Sequence, residues 1–203
     1  MADAGFKILR TSGLSDPFVT CICPTMPGRE SWLLKAIECF ELQTYCRREL
    51  LTNPNAGTIG EKRNRLCEAA RGEIILHWDD DDWSAPGRIA DQVRRLMESG
   101  KAVTGYNVMR FTDGSRWWKN SNQSRLAFGT SLCYLRAWWA SHRFPAIQLG
   151  EDSFFLNAAR KEKQLVAVDA GDLMYATNHP GNTSKRTIGQ GWELVDPPPD
   201  FRA

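Results

Sequence analysis

Four consecutive aspartates, Asp79 to Asp82, are the residues of this sequence best suited to carry chemistry. They closely follow the apolar run Glu73 to Leu76, which is typical of a buried strand. Carboxylates this close repel one another, and burying one without a partner costs on the order of several kcal/mol. Hard divalent cations prefer oxygen ligands, so Asp79 and Asp81 predict a site for Mg²⁺, Mn²⁺ or Ca²⁺ if both turn toward one crevice. A solvated acidic turn, or helix caps before Pro86, would explain the same residues without a metal.

The composition is that of an ordinary globular protein. The chain has 203 residues, 42% hydrophobic and 25% charged, which is enough to bury a core. Its 26 basic and 24 acidic residues leave a net charge of +2, which favours no particular partner. Arginine pairs occur, but no stretch combines them with aromatic residues as a nucleic-acid surface would. We therefore expect no nucleic-acid partner.

The cysteines and the N-terminal sequence bear on the compartment. Six cysteines lie mostly inside apolar segments without a CxxC pair, so they predict small core residues in a reducing compartment. Residues 1–17 lack the apolar run of a signal peptide, and no later run reaches about 18 apolar residues. We expect a cytoplasmic protein without a transmembrane segment, for which any membrane contact would be peripheral.

Strand and helix signals alternate through the first half of the chain. The predicted elements are a strand over Phe18–Cys23, a helix over 29–45, a strand over Arg48–Leu51, a helix from the Thr58/Glu61 capping box to Ala70, the strand before the aspartates, and a helix from Pro86 to Gly100. This alternation is typical of an α/β protein with a doubly wound, mostly parallel, Rossmann-like sheet flanked by helices. Ligands bind such sheets at the carboxyl ends of the strands, where the aspartates lie.

The second half has a different pattern. It predicts a strand or hairpin over Lys101–Phe111, a turn at Asp113–Ser115, a helix over Glu151–Lys161 and a late strand over Leu165–Val168. We divide the chain into a lead-in, 1–17, a domain, 18–188, with halves 18–100 and 101–188, and an extended tail, 189–203.

Five motifs in this order resemble the family 2 glycosyltransferases, which have the type-A nucleotide-sugar transferase fold. They are Thr20–Thr25, Gly60–Asn64 closed by Ala69–Glu73, Asp79–Pro86, Gly150–Asp152, and His179–Ser184. The resemblance covers roughly Val19 to Arg186. It implies a nucleotide and metal half followed by an acceptor half.

The resemblance also implies a metal and a donor. Asp81 would be the main ligand of Mn²⁺ or Mg²⁺, Asp79 would help through the ribose or the metal, and His179 would complete the ligand set. A bound cation would stabilise the diphosphate leaving group as a Lewis acid. The alternative for His179 is a loop histidine capped by Asn182.

The nucleotide-binding residues implied by the resemblance are Thr25, Lys62, Arg63, Asn64 and Asp79. Lys62 and Arg63 lie in the first turn of a helix, whose N–H groups favour anions. A plain basic helix face is the alternative for these two.

For the acceptor, the resemblance assigns the general base to Asp152, with Glu151 as the next candidate. A base opposite the leaving diphosphate implies a single in-line displacement with inversion. Both carboxylates would also complement a helix dipole, which is compatible with catalysis. Four tryptophans are candidate sugar platforms, with core packing as the alternative: Trp117, Trp118, Trp138 and Trp139.

One segment departs from the family pattern. The family carries an aspartate after its second strand that reads the nucleobase, whereas Leu51 to Gly57 contains none. Donor affinity and base choice are therefore the properties most affected.

We expect an inverting, metal-dependent glycosyltransferase that moves a sugar from a nucleoside diphosphate sugar to a carbohydrate or other hydroxyl acceptor. A nucleotidyltransferase of similar fold is an alternative, although the Gly150–Asp152 motif and the lack of an early Gly-rich phosphate loop argue against it. A degenerate domain that binds carbohydrate or a protein partner is the non-enzymatic alternative.

Overall fold

A computed structural model describes residues 16–122, 124, 126–184, 186, 188–189 and 191–198. The strands are β1 (Val19–Pro24), β2 (Arg48–Asn53), β3 (Ile74–His77), β4 (Trp83–Ser84), β5 (Val103–Thr112), β6 (Trp117–Ser121), β7 (Cys133–Leu135), β8 (Leu165–Asp169), β9 (Met174–Thr177) and β10 (Trp192–Leu194). The helices are α1 (Glu30–Glu41), α2 (Ile59–Ala69), α3 (Arg88–Ser99), α4 (Arg136–Ser141) and α5 (Glu151–Lys161). Most of the predicted lead-in, 1–15, and the last residues of the predicted tail, 199–203, lie outside the described residues.

The strands form one sheet whose main path runs β10-β6-β5-β7-β3-β1-β2. Strands β2, β1 and β3 are parallel neighbours, as the alternation of strand and helix predicts. β1 is buried along its whole length because it lies between two partners and under helices on both faces. The fold class predicted from the sequence, α/β with helices flanking the sheet, is confirmed.

The helices divide between the two faces of the sheet. α1 and α3 pack with Cys21 and Ile74 on one face. α2, α4 and α5 pack with Ile22 and Ile75 on the other. Neighbouring residues of a strand point to opposite faces, so each strand supplies both cores.

The second half extends the sheet with antiparallel pairs. β7 pairs antiparallel with both β3 and β5, and the β5–β6 hairpin turns at Gly114, whose φ is +91°. β10 pairs antiparallel with β6 and forms the edge of the sheet. Residues 192–194 of the predicted tail are therefore a strand of the sheet.

Two helix boundaries differ from the prediction by two residues or more. α1 ends at Glu41 because Gln43 and Thr44 bond to the chain ahead of α3: Gln43 Nε2 donates to Ala85 O at 2.7 Å and Thr44 N to Pro86 O at 2.9 Å. α3 begins at Arg88, two residues after Pro86, and ends as predicted at Gly100, whose φ is +63°.

All six cysteines are free thiols, and burial raises the pKa of Cys21 and of Cys67 to about 12. Cys46 is exposed, whereas Cys21, Cys23, Cys67 and Cys133 are buried as predicted for core residues. Among the described helices, none is long and apolar enough to span a bilayer.

Candidate active site

A cleft of about 590 Å³ opens at the carboxyl ends of β1 and β3. Of the nine site residues predicted from the sequence, seven line it: Thr25, Lys62, Arg63, Asp79, Asp81, Glu151 and Asp152. They come from the ends of two parallel strands and from the first turns of α2 and α5. This is where a sheet of this topology binds ligands.

Asp81 and His179 meet at the edge of the cleft. His179 Nε2 lies 2.9 Å from Asp81 Oδ2, and Gly181 N–H donates to His179 Nδ1 at 3.1 Å. Because Nδ1 accepts, Nε2 carries the proton and donates to Asp81. Trp32 of α1 stacks on the imidazole with ring centroids 4.7 Å apart.

Asn182 also holds this pair in place. Its Nδ2 donates to Asp81 Oδ2 at 3.0 Å, and its Oδ1 accepts from His179 N–H at 2.5 Å. His179 is thus a capped loop histidine, as the alternative interpretation holds, and its ring nevertheless faces Asp81. The capped-loop interpretation and the metal-ligand interpretation of His179 are therefore compatible.

Arg29 neutralises part of the acidic run and was not selected from the sequence. Its guanidinium donates to Asp80 through Nε at 2.9 Å and Nη2 at 2.6 Å, and to Asp81 through Nη2 at 2.7 Å. Thr25 Oγ1 donates to Asp80 at 2.5 Å. Burial raises the pKa of Asp80, although Arg29 and Thr25 oppose this shift. Arg29 could have been identified from the sequence as a basic residue shortly after β1. Because β1 and β3 are parallel neighbours, their carboxyl ends lie close together.

Asp82 points away from this cluster into the protein. Thr130 Oγ1 bonds to its Oδ2, and Thr177 N–H donates to its Oδ1 at 3.0 Å. Burial, reinforced by Asp81 and Asp79, raises the pKa of Asp82 to about 8. Asp82, which directly precedes β4, therefore connects the acidic run to Thr130 and to β9.

Arg63 joins the two acidic parts of the cleft. Its Nη1 forms an ion pair with Glu151, and its Nη2 lies 3.6 Å from Asp79. Burial works against the charge, but Asp79, Glu151 and Asp152 together raise the pKa of Arg63. Burial also raises the pKa of Glu151 despite the neighbouring arginine. Most of the guanidinium is thus committed to carboxylates of the protein.

The N-terminus of α2 is saturated by the protein itself. Ile59 N–H donates to Gln148 Oε1 at 3.2 Å and Gly60 N–H to Ile147 O at 3.3 Å. The predicted capping box is present, with Thr58 accepting from Glu61 N–H. A β-carbon at Gly60 would overlap the carbonyl of Pro145, so glycine allows this close approach. The first N–H groups of α2 are therefore not available to an anion.

Lys62 and Asn64 have different surroundings. Lys62 Nζ is buried and donates to Thr25 O at 2.6 Å, and burial lowers the pKa of Lys62. Asn64 is absent from the described residues that line the cleft. Its Nδ2 donates to Phe144 O at 2.8 Å, and its Oδ1 accepts from Trp139 Nε1 at 3.0 Å. Because this amide holds the segment after α4, we leave Asn64 out of the donor site.

Asp152 lies in the first turn of α5 and faces the cleft. Ser153 N–H donates to its Oδ1 at 2.7 Å. Its Oδ2 packs against Gly129, where a β-carbon would overlap the carboxylate. His77 Nδ1 donates to Gly129 O at 2.7 Å, so a buried histidine fixes the backbone beside Asp152.

The aromatic residues that line the cleft are not among the four tryptophans considered from the sequence, for which the alternative of core packing holds. Trp117, Trp118, Trp138 and Trp139 are at most 6% exposed and pack in the core. The cleft is lined instead by Phe128 and Trp192. No sequence signal separated Trp192 from the other tryptophans, because its position depends on the docking of β10.

The residues of the cleft fit a divalent cation that takes only part of its ligands from the protein. Among the described residues, no group of three or more His, Cys, Asp or Glu side chains is arranged to hold an ion. Asp81 and His179 face each other at 2.9 Å, about the spacing of two adjacent ligands at roughly 2.1 Å from one ion. His179 Nε2 can be a ligand only when the ring proton lies on Nδ1, so a bound cation would shift that proton and break the bond from Gly181 N–H to Nδ1. Mg²⁺ commonly takes one or two protein ligands and fills its shell with water and substrate phosphates.

Proteins of known structure have folds similar to that of this chain. The structure is similar to the Staphylococcus aureus protein TarS 1-349 in complex with UDP-GlcNAc, with a TM-score of 0.66 and 17% identity over 84% of this chain and 62% of that one. It is also similar to the mannosyltransferase PcManGT from Pyrobaculum calidifontis in complex with GDP-Man and Mn²⁺, with a TM-score of 0.59 and 15% identity over 81% of this chain and 57% of that one. The chain thus spans less than two thirds of each of these proteins. No curated protein sequence matches it.

The family model described as Glycosyl transferase family 2 matches residues 33–157, which is more than half of the 203-residue chain. The match runs from α1 to α5 and includes both the acidic run and Asp152. The chain belongs to glycosyl transferase family 2.

Proposed function

We propose that this chain transfers a sugar from a nucleoside diphosphate sugar to an acceptor hydroxyl, with inversion at the sugar and with the help of Mn²⁺ or Mg²⁺. One observation carries the proposal: the carboxylates Asp79 and Asp81, which follow β3, and Asp152, which begins α5, line the same cleft. The family to which the chain belongs supports a glycosyltransferase. The UDP-GlcNAc and GDP-Man complexes of the similar structures support a nucleotide sugar as donor.

At the donor end, Asp81 and His179 would hold the cation, which supplies Lewis-acid stabilisation of the diphosphate when bound. Lys62 and Arg63 also line the cleft and add positive charge to it, although most of the Arg63 guanidinium is paired with Glu151 and Asp79. Arg29 and Asn182 hold Asp81 in position through hydrogen bonds of 2.7 and 3.0 Å. The Mn²⁺ in the PcManGT complex supports this assignment by likeness.

At the acceptor end, Asp152 takes the proton of the attacking hydroxyl. The hydroxyl oxygen forms a bond to the anomeric carbon, the bond from that carbon to the diphosphate oxygen breaks, and its electron pair leaves with the diphosphate. Attack from the face opposite the diphosphate inverts the sugar. Ser153 N–H and Gly129 fix the carboxylate, which keeps it positioned for proton transfer.

The experiment is a panel of UDP- and GDP-sugars incubated with the protein and Mn²⁺ and scored for release of the nucleoside diphosphate. We expect slow donor hydrolysis without acceptor, and its loss in excess chelator. Asp81→Asn tests the site, and Asp113→Asn, on the exposed β5–β6 turn, is the matched control.

The other outcomes of this experiment would indicate different functions. Pyrophosphate release from a nucleoside triphosphate would indicate the nucleotidyltransferase. No turnover with any donor, together with binding of carbohydrate or a protein, would indicate the non-catalytic domain. Two further statements stay predictions from the sequence: that the protein is cytoplasmic, and that any membrane contact is peripheral.

A further inference from the structure

Two aromatic side chains form one wall of the cleft, and neither is among the site residues predicted from the sequence. Trp192 of β10 and Phe128 both line the cleft. The ring of Trp192 packs on Phe111 with centroids 4.8 Å apart, and Phe128 packs edge-on against Phe111 at 5.2 Å. Phe111 is completely buried, so it supports both rings from behind. We call this pair, Trp192 and Phe128, the aromatic wall.

The aromatic wall adjoins the proposed base. Phe128 directly precedes Gly129, and the carboxylate of Asp152 packs against that glycine. A ring lying on the wall would therefore be next to the group that removes a proton from the acceptor. Arg186, Thr183 and Ser184 also line the cleft and can bond to hydroxyl groups.

The order of the strands separates the wall from the donor end. Trp192 is on β10, at one edge of the sheet, whereas Thr25 and Lys62 belong to the β1 and α2 region near the opposite edge. The segment 54–58, which follows β2, lies at that opposite edge too. Four strands, β6, β5, β7 and β3, lie between β10 and β1 in the sheet, so a nucleobase held near β1 and α2 would leave the wall to the acceptor.

We propose that the aromatic wall is the acceptor subsite, and that it stacks on the apolar face of a pyranose ring whose reacting hydroxyl points to Asp152. The inference rests on the proposed function and narrows its acceptor from any hydroxyl compound to a carbohydrate. Flat aromatic faces suit the C–H face of a sugar, and the polar groups beside them suit its hydroxyls.

The test measures sugar binding separately from nucleotide binding. Methyl glycosides of glucose, galactose, mannose and N-acetylglucosamine, together with maltotriose and chitotriose, are titrated into the protein with UDP or GDP and Mn²⁺, and saturation-transfer NMR reports contact. We expect at least one sugar to bind the unmodified protein. Trp192→Ala should weaken that binding by about tenfold, the effect of losing one aromatic stacking contact.

Two further variants control for folding. Trp192→Phe keeps an aromatic face and should stay within about threefold of the unmodified protein. Leu194→Ala removes a side chain of the same strand that is 69% exposed, and should leave sugar binding unchanged. Nucleotide affinity, measured by calorimetry, should be equal in all four proteins.

Three results would overturn the inference. Binding of nucleotide but of no sugar would remove the acceptor subsite and leave the proposed function standing. Weaker nucleotide binding in Trp192→Ala, with sugar binding unchanged, would make the wall a nucleobase platform. Binding of neither nucleotide nor sugar would overturn the proposed function as well.

Discussion

Arg63 and Glu151 form a buried ion pair between α2 and α5, although they are 88 residues apart in the sequence. The two side chains are 5% and 6% exposed, and Arg63 Nη2 also approaches Asp79 at 3.6 Å. Nε of the same guanidinium has no hydrogen-bond partner among the described residues. The pair therefore fixes the helix that carries Asp152 relative to the acidic run after β3.

Arg63→Met should destabilise the fold by roughly 3–5 kcal/mol, because it leaves Glu151 buried without a counter-ion. Adding Glu151→Gln should recover at least half of this loss, since no unpaired charge then remains. Urea unfolding measures both changes. Arg94→Met, which removes the ion pairs of the exposed Arg94 with Asp91 and Glu98 on α3, is the control and should cost less than about 1 kcal/mol. Equal costs for Arg63→Met and the control would contradict the structural role.

Asp81→Asn should lower turnover about a hundredfold or more, because metal stabilisation of the leaving group is worth several kcal/mol. The same variant should bind Mn²⁺ more weakly, which electron paramagnetic resonance of free Mn²⁺ measures without any reaction. Asp113→Asn should change neither quantity. Full activity in excess chelator would exclude the metal.

Asp152→Asn keeps the shape of the side chain but cannot take the proton of the acceptor. Transfer should fall by about 10²–10⁴-fold, the usual contribution of a positioned base. Calorimetry should show that binding of the nucleoside diphosphate with Mn²⁺ is retained. Unchanged transfer would move the base to Glu151, although that carboxylate is paired with Arg63.

Discrimination between bases should be weak. The segment between Leu51 and Gly57 carries no carboxylate, Asn64 is engaged elsewhere, and Arg63 is occupied by Glu151. A site without a bond to the base edge discriminates poorly. We expect UDP and GDP to bind within roughly tenfold of each other, a gap of about 1.4 kcal/mol. A preference of several hundredfold in calorimetry would reveal another base-reading contact.

His77 should make the fold sensitive to acid. Its Nδ1 donates to Gly129 O, its Nε2 accepts from Tyr134 Oη at 3.3 Å, and burial holds the pKa of His77 well below its usual value. The unfolded chain binds a proton below about pH 6.5 that the folded protein does not, so stability present above that pH is lost as the pH falls.

His77→Asn removes this titration and keeps a donor for Gly129. Between about pH 6 and about pH 5, the free energy of unfolding of the unmodified protein should fall by about 1.4 kcal/mol more per pH unit than that of the variant. Urea unfolding across this range gives the two slopes. An equal pH dependence of the unfolding free energy in the two proteins would contradict this, because it would show that His77 takes up its proton in the folded state.

The sequence by itself determined the types of the elements and the chemistry of the cleft. Buried strands next to amphipathic helices left few arrangements other than a parallel α/β sheet, and a parallel sheet gathers strand ends at one edge. That rule alone brings Asp79 and Asp81 toward Thr25. The capping box at Thr58 and the glycine stop at Gly100 were visible for the same reason, because they depend on residues a few positions apart.

Only the tertiary structure decided which partners these residues have. Arg29 on Asp80, Asn64 on Phe144 and Arg63 on Glu151 are contacts between distant segments, and no local pattern encodes their distances. The same holds for Trp192, which lines the cleft because β10 returns to pair with β6. Local periodicity fixes which face of an element is apolar, but the packing of elements decides which side chains meet.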